Sequence, residues 1–465
     1  MIILLILVEN CVPIFKIILI ATSILYSQVV ELTVGQEGKT GLLDAGNVED
    51  YLDSLIRNDK SINHSYILAS IKGVEPITVK YIANHELIYI DTLFIKDNKQ
   101  VRSQTYQSLL KSILNISSEK DILQQIERLE SSYKFLQNSI HFRYGKTKGG
   151  GLALLLDIIP EFENNISGLF GANRANDGNW ITNGEIELYL ENIWSTASNS
   201  LFHWKRLNEK SEIISILHYE PTLWNLPFGL QLKLDKELRD QEYILQKKEF
   251  RIFSSPNRYG KWFFGSNVLT IIPTNIGNSL GLLNHKSSSI LLGIINDKRD
   301  HRWIPTNGSY WDISVSIGKQ IEDNISNLKG DWSLDNGFFW RINSFLSYHI
   351  NLYVKGIWVE NGNVHKGQKI RYGGVNNLRG YRDDQFISAS LCIPSMELVS
   401  NIRKDLQLFA FIESAIQKEH MPYPLGFGMG IKQVSRSSIV SATIGFGRGD
   451  PISEAKLHIK FSSRL

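Results

Sequence analysis

A serine between two glycines is the first feature of the sequence that could carry out chemistry. Gly277-Asn278-Ser279-Leu280-Gly281 fits the Gly-x-Ser-x-Gly pattern of a nucleophile elbow, and His285 follows closely. An elbow needs a strand, a sharp turn and then a helix, with the histidine after an acid in chain order. The residues after Gly281 show no amphipathic helix before the next strand pattern. The pattern therefore favours a hairpin loop, and we predict that the chain is not an enzyme; hydrolysis that depends on Ser279 is the alternative.

Metal and phosphate motifs are absent from the sequence. It has no P-loop, no His-Glu-x-x-His motif and no cysteine cluster, and its 11 histidines are scattered. Asp297 and Asp300 could hold a cation, but Lys298, Arg299 and Arg302 surround them. We predict that the protein binds neither a metal nor a cofactor.

The first residues have the character of a secretory signal. Lys16 precedes an apolar run over residues 17–25, and small residues follow, which predicts a signal peptide over 1–27 with cleavage near Ser27. The run is too short to span a bilayer comfortably. Removal of this segment takes Cys11 with it and leaves Cys392 alone, so we expect no internal disulfide. A secreted chain can reach the periplasm, the outer membrane or the medium.

Residues 28–158 show a mixed α and β pattern. From residue 87 to 158 the predicted order is β-α-α-β-β, with a helix over 103–114 and a second helix opened by a capping box at Ser118. Residues 28–86 show only β-α-β-β. We interpret them as a reduced or divergent copy of the same module; a single decorated α+β domain is the alternative.

Beyond residue 159 the periodicity changes to two. Trp311, Ile313, Val315 and Ile317 alternate with Asp312, Ser314, Ser316 and Gly318, and other segments repeat the pattern. A soluble sandwich alternates in the same way. Here the polar face carries Lys, Glu, His and Tyr throughout, and no helices remain to cover the apolar face, which favours a transmembrane barrel. Hairpin turns are predicted at four sites, namely Asp177-Gly178, Asn183-Gly184, Asn307-Gly308 and Asn336-Gly337.

The strand pattern predicts a transmembrane antiparallel β-barrel over residues 159–465. We count about sixteen strands, about eleven before a glycine-rich stretch near residue 380 and about five after it. An even number places both ends of the barrel on one side of the membrane. A net charge of +3 gives no reason to expect nucleic acid as a partner.

The glycine-rich stretch runs from Arg371 to Phe386. Its glycines and asparagines indicate a loop, and Arg379 places a fixed cation within it. The stretch resembles the signature loop of the BamA/TamA outer-membrane insertase superfamily, also called the bacterial surface antigen family. The resemblance implies an extracellular loop that folds back into the barrel lumen. The residues that carry it are Gly373, Gly374, Leu378, Arg379, Gly380, Tyr381 and Phe386.

An arginine inside a barrel needs a carboxylate partner. Leu408, Ala410 and Ile412 alternate outward on the strand over 405–413, so Phe411 and Glu413 point inward. The resemblance implies a Phe-x-Asp motif on the second strand after the loop, whose acid pairs with the loop arginine. Phe411-Ile412-Glu413 matches that position with glutamate in place of aspartate. Glu413 is therefore the predicted partner that locks the loop, and Glu397 is the reserve.

Two further stretches resemble the same superfamily. Residues 297–308 are similar to its strand-turn-strand motif, for which we predict an architectural role. The last strand places Leu457, Ile459 and Phe461 outward, although the final residue, Leu465, departs from the aromatic residue usual in bacterial outer-membrane barrels. The motif residues of the turn are Asp297, Arg299, Asp300, Pro305, Thr306 and Gly308.

The resemblance also implies a location and a function. Residues 87–158 would form a POTRA-like domain in the periplasm, with the barrel in the outer membrane. The expected activity is insertion or translocation of proteins at that membrane. The expected partners are outer-membrane lipid, unfolded outer-membrane or secreted clients and, in addition, periplasmic chaperones or lipoproteins. Two alternatives stay open: a two-partner-secretion-like transporter that exports one client, and a passive barrel with a structural or pore role.

Overall fold

A computed structural model describes most of the chain from residue 29 onward. The predicted signal peptide, with Cys11, lies outside the described residues. Within the part of the chain that is described, no helix has both the length and the apolar character needed to cross a bilayer. The described residues are 29–34, 39–44, 47–48, 50–52, 54, 65–72, 77–84, 89–97, 99–137, 139–149, 151–174, 180–208, 210–223, 226–375, 377–419 and 421–465.

The chain divides into two compact units. The N-terminal unit contains residues 1–98, 110–127 and 140–159. The barrel unit contains residues 99–109, 128–139 and 160–465.

The N-terminal unit begins with a four-stranded sheet of order β2-β1-β4-β3. Strand β1 pairs in parallel with β4 and antiparallel with β2. The β-α-β-β order predicted for residues 28–86 therefore lacked one strand, and the helix predicted near Val48 lies partly outside the described residues. The strands are β1 (Val29–Val34), β2 (Lys39–Asp44), β3 (Ser65–Lys72) and β4 (Ile77–Asn84).

The next elements follow the predicted β-α-α-β-β order. Ser118 accepts a hydrogen bond from the Asp121 amide at 3.5 Å and caps the second helix as its sequence predicts. The three strands form a sheet of order β5-β7-β6, and Leu154 and Leu156 of the central strand are fully buried. The elements are β5 (Ile90–Lys96), α1 (Ser103–Leu110), α2 (Glu119–Ser132), β6 (Ile140–Lys146) and β7 (Leu152–Ile158), with a 3₁₀ turn over Lys111–Ile113.

Sixteen antiparallel strands of the barrel unit close into a barrel, as predicted. Eleven precede the glycine-rich loop and five follow it. The first eleven are β8 (Asn165–Arg174), β9 (Trp180–Glu191), β10 (Asn199–Asn208), β11 (Ser211–Glu220), β12 (Gly229–Arg239), β13 (Tyr243–Phe253), β14 (Lys261–Pro273), β15 (His285–Asp297), β16 (Gly308–Glu322), β17 (Ile325–Arg341) and β18 (Leu346–Val359). The last five are β21 (Ser390–Arg403), β22 (Leu406–Ser414), β24 (Leu425–Val434), β25 (Ser438–Gly447) and β26 (Lys456–Arg464).

Short elements lie between these strands. A helix, α3 (Asn275–Ser279), connects β14 to β15. The glycine-rich loop holds a small hairpin of β19 (Ile370–Tyr372) and β20 (Phe386–Ser388). A two-residue strand, β23 (Ile416–Gln417), extends the pairing of β21.

Alternation sets the two faces of the barrel. On β16, Val315 and Ile317 point outward and are 52% and 58% exposed, whereas Ser316 and Gln320 point inward and are buried. Exposed apolar side chains on the outer face are what a lipid-facing surface requires.

Two of the predicted turns are wrong. Asn183-Gly184 lies inside β9 and Asn336-Gly337 inside β17. Gly337 serves close packing, because a Cβ atom there would lie 2.3 Å from the ring of Tyr310. The β16–β17 hairpin turns instead at Asp323-Asn324, whose φ angles of 48° and 66° belong to a primed turn.

The other two predicted turns have different outcomes. Gly308, with a φ of 105°, is the first residue of β16, and the connection from β15 runs over residues 298–307 instead of a tight turn at Asn307-Gly308. Asp177-Gly178 lies outside the described residues.

The sheet closes where its first and last strands meet, and this seam is short. Strand β26 pairs with β8 at three positions only, Ser462 with Ser167, Ser463 with Ile166 and Arg464 with Asn165. By contrast, β16 and β17 pair continuously from Gly308–Phe339 to Glu322–Ile325. The rest of β26, from Lys456 to Phe461, has no ladder partner on β8.

Candidate functional site in the barrel lumen

A cavity of about 1070 Å³ occupies the lumen. The predicted loop cation and the predicted turn motif both contribute to its wall, although they are far apart in sequence. Among the residues that line it are Arg379, Glu397, Glu413, Asp297, Arg299 and Pro305. Residues 132–135, which follow α2 within the barrel unit, line it as well.

Arg379 lies between two carboxylates. Its Nη2 atom is 3.0 Å from Glu413 Oε2, and its Nη1 atom is 2.7 Å from Glu397 Oε1. The backbone amide of Arg379 also donates to Glu413. The sequence treated the two glutamates as alternatives, whereas the structure places both on the same guanidinium group.

The surroundings of this triad exclude most water. The side chains of Arg379 and Glu413 are 12% and 3% exposed. The guanidinium carbon lies 3.7 Å from the ring centroid of Phe411, close enough for a cation–π contact. Glu397 also approaches His349, with 3.6 Å between the nearest atoms. A buried arginine with two acids and an aromatic ring is held in one orientation, which can fix the tip of the loop inside the barrel.

Glycines on the barrel wall allow the loop to approach closely. Gly380 has a φ of 94°, and a Cβ atom there would lie 2.4 Å from the Phe446 carbonyl oxygen. A Cβ atom on Gly426 would lie 2.1 Å from the Arg379 carbonyl oxygen, and one on Gly445 would lie 2.6 Å from the Gly380 nitrogen. Sequence reasoning missed Gly426 and Gly445, since a strand glycine shows its role only when the opposing backbone is known.

The other signature residues form the folded body of the loop. Leu378 is fully buried in an apolar cluster with Tyr372 and Ile393. Phe386 stacks on Tyr372 with 5.3 Å between the ring centroids and packs edge-on against Tyr381. Gly373 and Gly374 turn the chain with φ angles of 122° and 91°.

Two loop aspartates reach the opposite wall of the barrel. Asp383 accepts from Lys205 on β10 at 2.6 Å, and Asp384 accepts from Arg239 on β12 at 2.6 Å. With Arg379 bound to β21 and β22, the loop therefore crosses the lumen. These contacts were not predicted, because sequence alternation shows that Lys205 and Arg239 face inward but does not show which loop residues they meet.

The turn motif is organised by its aspartates. Asp300 accepts from the Thr306 amide at 2.8 Å and from the Thr306 hydroxyl at 2.6 Å, and Arg341 lies 2.9 Å from it. Asp297 binds Arg299 at 2.6 Å. Each aspartate thus has a basic partner, and the arrangement braces the turn between β15 and β16.

Electrostatics of the turn agree with this geometry. Partial burial alone would raise the pKa of Asp300, but the hydrogen bonds from Thr306 and Asn307 outweigh it and hold the pKa below its usual value. Lys134 lies 3.2 Å from Asp297, and its burial lowers its pKa despite that neighbour.

The Gly-x-Ser-x-Gly sequence lies at a different place. The five-residue helix α3 ends at Ser279, whose exposed hydroxyl donates back to the Ile276 carbonyl at 2.7 Å. His285 is buried and contacts Gln368 at 2.6 Å. The strand-turn-helix order of an elbow is therefore absent here, because Ser279 is the last residue of the helix and not part of a turn before one.

A protein-family comparison identifies the barrel. Residues 196–412, which include Arg379 and Glu397, match the Omp85 superfamily domain. This stretch of the barrel carries an Omp85 superfamily domain. The resemblance to the BamA/TamA insertases, which are members of it, is thereby confirmed. Comparison with curated protein sequences gives no match.

Solved structures share the fold of this chain. BamA from Haemophilus ducreyi lacking POTRA domains 1–3 has 12% identity and a TM-score of 0.52, covering 90% of this chain and 93% of its own. CdiB from Acinetobacter baumannii has 14% identity and a TM-score of 0.57; the match covers 92% of this chain and 83% of the CdiB chain. CdiB from Escherichia coli has 12% identity and a TM-score of 0.57; the match covers 94% of this chain and 90% of the CdiB chain. The barrel lies in the outer membrane.

Proposed function

We propose that this protein assists the insertion or translocation of client polypeptides at the outer membrane, with the seam as the place where a client strand pairs. The short seam supports this proposal most directly. From Lys456 to Phe461, β26 has no ladder partner on β8, whereas β16 and β17 are joined over their whole length. Unpaired backbone groups on a strand edge can pair with another chain.

The signature loop supplies the stability that an open seam requires. The tip of the loop contacts four strands from inside the barrel. Arg379 binds β21 and β22, Tyr381 donates to β24, and Gly380 packs against β25. These strands would keep their positions when β26 separates from β8. The proposed chemistry is strand pairing, without an enzymatic step. The proposed partners are unfolded clients, with periplasmic chaperones or lipoproteins as their carriers.

A crosslink across the seam tests the proposal in cells. In a Cys392→Ser background, Ser167→Cys with Ser462→Cys joins two register partners of the seam. Ser314→Cys with Ser333→Cys joins the matching serine pair of β16 and β17, far from the seam. Each variant replaces the wild-type protein, and the levels of other outer-membrane barrels are measured before and after reduction.

The outcomes separate the alternatives. A broad fall in barrel proteins with the seam crosslink, reversed by reduction and absent in the control, is expected. Loss of one exported protein alone would support the single-client transporter. Normal levels of all proteins with a fully crosslinked seam would support the passive barrel and contradict the proposal.

A second candidate, export through the lumen, is favoured by the cavity itself. Its wall combines charged and polar side chains, which suits an unfolded polypeptide better than lipid. The loop crosses that space between Lys205 and Glu413, so export requires the loop to move.

A further inference from the structure

Lysines are concentrated on one part of the lipid-facing surface. Lys236, Lys248, Lys286 and Lys319 are all exposed and, by alternation, point outward on β12, β13, β15 and β16. The outward faces of β17, β18, β21, β22 and β24–β26 carry no Lys, Arg, Asp or Glu in the described strands. The charge is therefore not a general property of this barrel's outer face.

The four lysines occupy two adjacent rows of the sheet. One row runs Lys236, Gln246, Thr270, Lys286, Ile321, and the next runs Leu234, Lys248, Val268, Ser288, Lys319, each residue being the register partner of the one before. Lys236 and Lys248 are thus diagonal neighbours on adjacent strands, and so are Lys286 and Lys319. The two pairs are three strands apart, which is about 14 Å at the usual strand spacing.

The rows lie near the end of the barrel at which the signature loop connects β18 to β21, which the resemblance makes the extracellular end. Lys236 is close to the end of β12 at Arg239, and Lys319 is close to the end of β16 at Glu322. Toward the membrane centre the outward face is apolar, with Leu232, Phe250 and Ile290 exposed. The lysines therefore lie at the depth where the head groups of the outer leaflet begin.

These cations are not paired with protein carboxylates. Glu212 on β11 also faces outward, diagonally next to Lys236, but its carboxylate accepts a hydrogen bond from Trp204 at 2.6 Å. Among the described residues, none of the four forms an ion pair with a carboxylate, although inward-facing lysines such as Lys205 and Lys329 do. Ile272, which is 48% exposed, and Leu238 continue the outward face beyond the lysine rows. A cation placed against lipid is costly, so lysines extend toward anionic head groups.

We propose that this face, made of Lys236, Lys248, Lys286 and Lys319, binds a phosphorylated lipid of the outer leaflet, with one phosphate group at each lysine pair. Gln246, Thr270 and Ser288 lie between the lysines and supply hydrogen-bond donors to the same head group. The apolar rows below accept the acyl chains.

Native mass spectrometry of the full chain in detergent tests the proposal, with bis-phosphorylated lipid A as the probe. Wild-type protein is expected to bind it at least about tenfold more tightly than dephosphorylated lipid A, since each lysine near an anionic lipid contributes several-fold. Equal binding of the two lipids to the wild-type protein would overturn the proposal without any variant.

Variants then locate the site. Replacing the four lysines by glutamine is expected to remove the preference for the phosphorylated lipid. The control replaces four exposed lysines outside this face by glutamine, namely Lys120, Lys148, Lys404 and Lys418, and removes the same charge. The control is expected to bind lipid A like the wild type. The site is contradicted if both variants lose the preference for the phosphorylated lipid equally, or if the variant without the four outward lysines keeps it.

The two-phosphate arrangement has its own test. K236Q/K248Q and K286Q/K319Q should each lower the affinity for the bis-phosphorylated lipid to that of the wild type for a monophosphorylated one. If only one of these two variants has a lower affinity for the bis-phosphorylated lipid, the assignment of one phosphate to each lysine pair is overturned. Heat-modifiable migration on a gel verifies that every variant is a folded barrel.

Discussion

The signature loop and the seam hold the same barrel together by different means. The loop is fixed by ion pairs on both sides: Arg379 binds Glu397 and Glu413, and Asp383 and Asp384 bind the opposite wall. The seam has three ladder positions and, beside them, one ion pair between Arg464 and Glu163. The difference predicts that the seam separates more readily than the strands that the loop holds.

Removing the loop cation should have the largest effect. Arg379→Ala leaves two acids in the lumen without their partner, and we expect the free energy of unfolding in detergent to fall by about 3–5 kcal/mol. Urea titration followed by heat-modifiable gel migration measures it. Arg382→Ala, which removes an exposed arginine of the same loop, is the control and should change stability little.

A double-mutant cycle assigns the effect to the pair. In a Glu413→Gln background, Arg379→Ala should cost less than in the wild type, because part of the interaction is already lost. Additive losses would show that Arg379 and Glu413 do not act together. The same cycle with Glu397→Gln shows how the two acids share the cation.

The anchored side of the barrel also depends on the turn before β16. Asp300→Asn should lower the free energy of unfolding by about 1–2 kcal/mol, since asparagine cannot accept all four hydrogen bonds that the carboxylate accepts from Thr306, Asn307 and Arg341. The folded pKa of Asp300 is depressed, so its contribution is present above the usual carboxyl pKa and is lost as the pH falls through the lower folded pKa.

Stability measured at about pH 7 and about pH 3 should therefore differ less in Asp300→Asn than in the wild type. Asp323→Asn, in the β16–β17 hairpin, is the control, because asparagine tolerates its positive φ. An unchanged pH dependence in Asp300→Asn would contradict this role.

Loosening the seam should have a smaller effect on global stability. Glu163→Gln removes the ion pair with Arg464, which is partly exposed, and we expect a loss of at most about 1 kcal/mol. Amide exchange in β26 should nevertheless rise. Asp405→Asn removes an exposed pair with Arg403 between β21 and β22 and should leave β26 unchanged.

The smallest effect is expected outside both regions. Ser279→Ala should alter neither stability nor any esterase activity, because the hydroxyl only closes the short helix α3. Hydrolysis of a chromogenic ester by purified protein measures it. Activity that disappears with Ser279→Ala would support the enzyme alternative.

Sequence alternation predicted the barrel well because each strand repeats the same inward and outward pattern. It placed Glu413 inward and Ile412 outward, as observed. It failed where a residue's role depends on a distant segment. Gly337 was predicted as a turn because a glycine beside an asparagine is common in turns, yet it makes room for Tyr310.

The loop contacts show the same limit. Arg379 could be singled out within its motif, but Lys205 and Arg239 could not be assigned to Asp383 and Asp384 without the path of the loop across the lumen. The short seam was also beyond prediction in detail, since pairing between the first and last strands depends on barrel closure and not on either strand alone.

Hydrogen–deuterium exchange of the intact protein, read by mass spectrometry, tests the central claim most directly. We predict that amides of β26 and β8 exchange first, that β16 and β17 exchange last, and that β21 and β22 remain protected by the loop. Protection of β26 and β8 equal to that of β16 and β17 would contradict a seam that opens in an otherwise intact barrel.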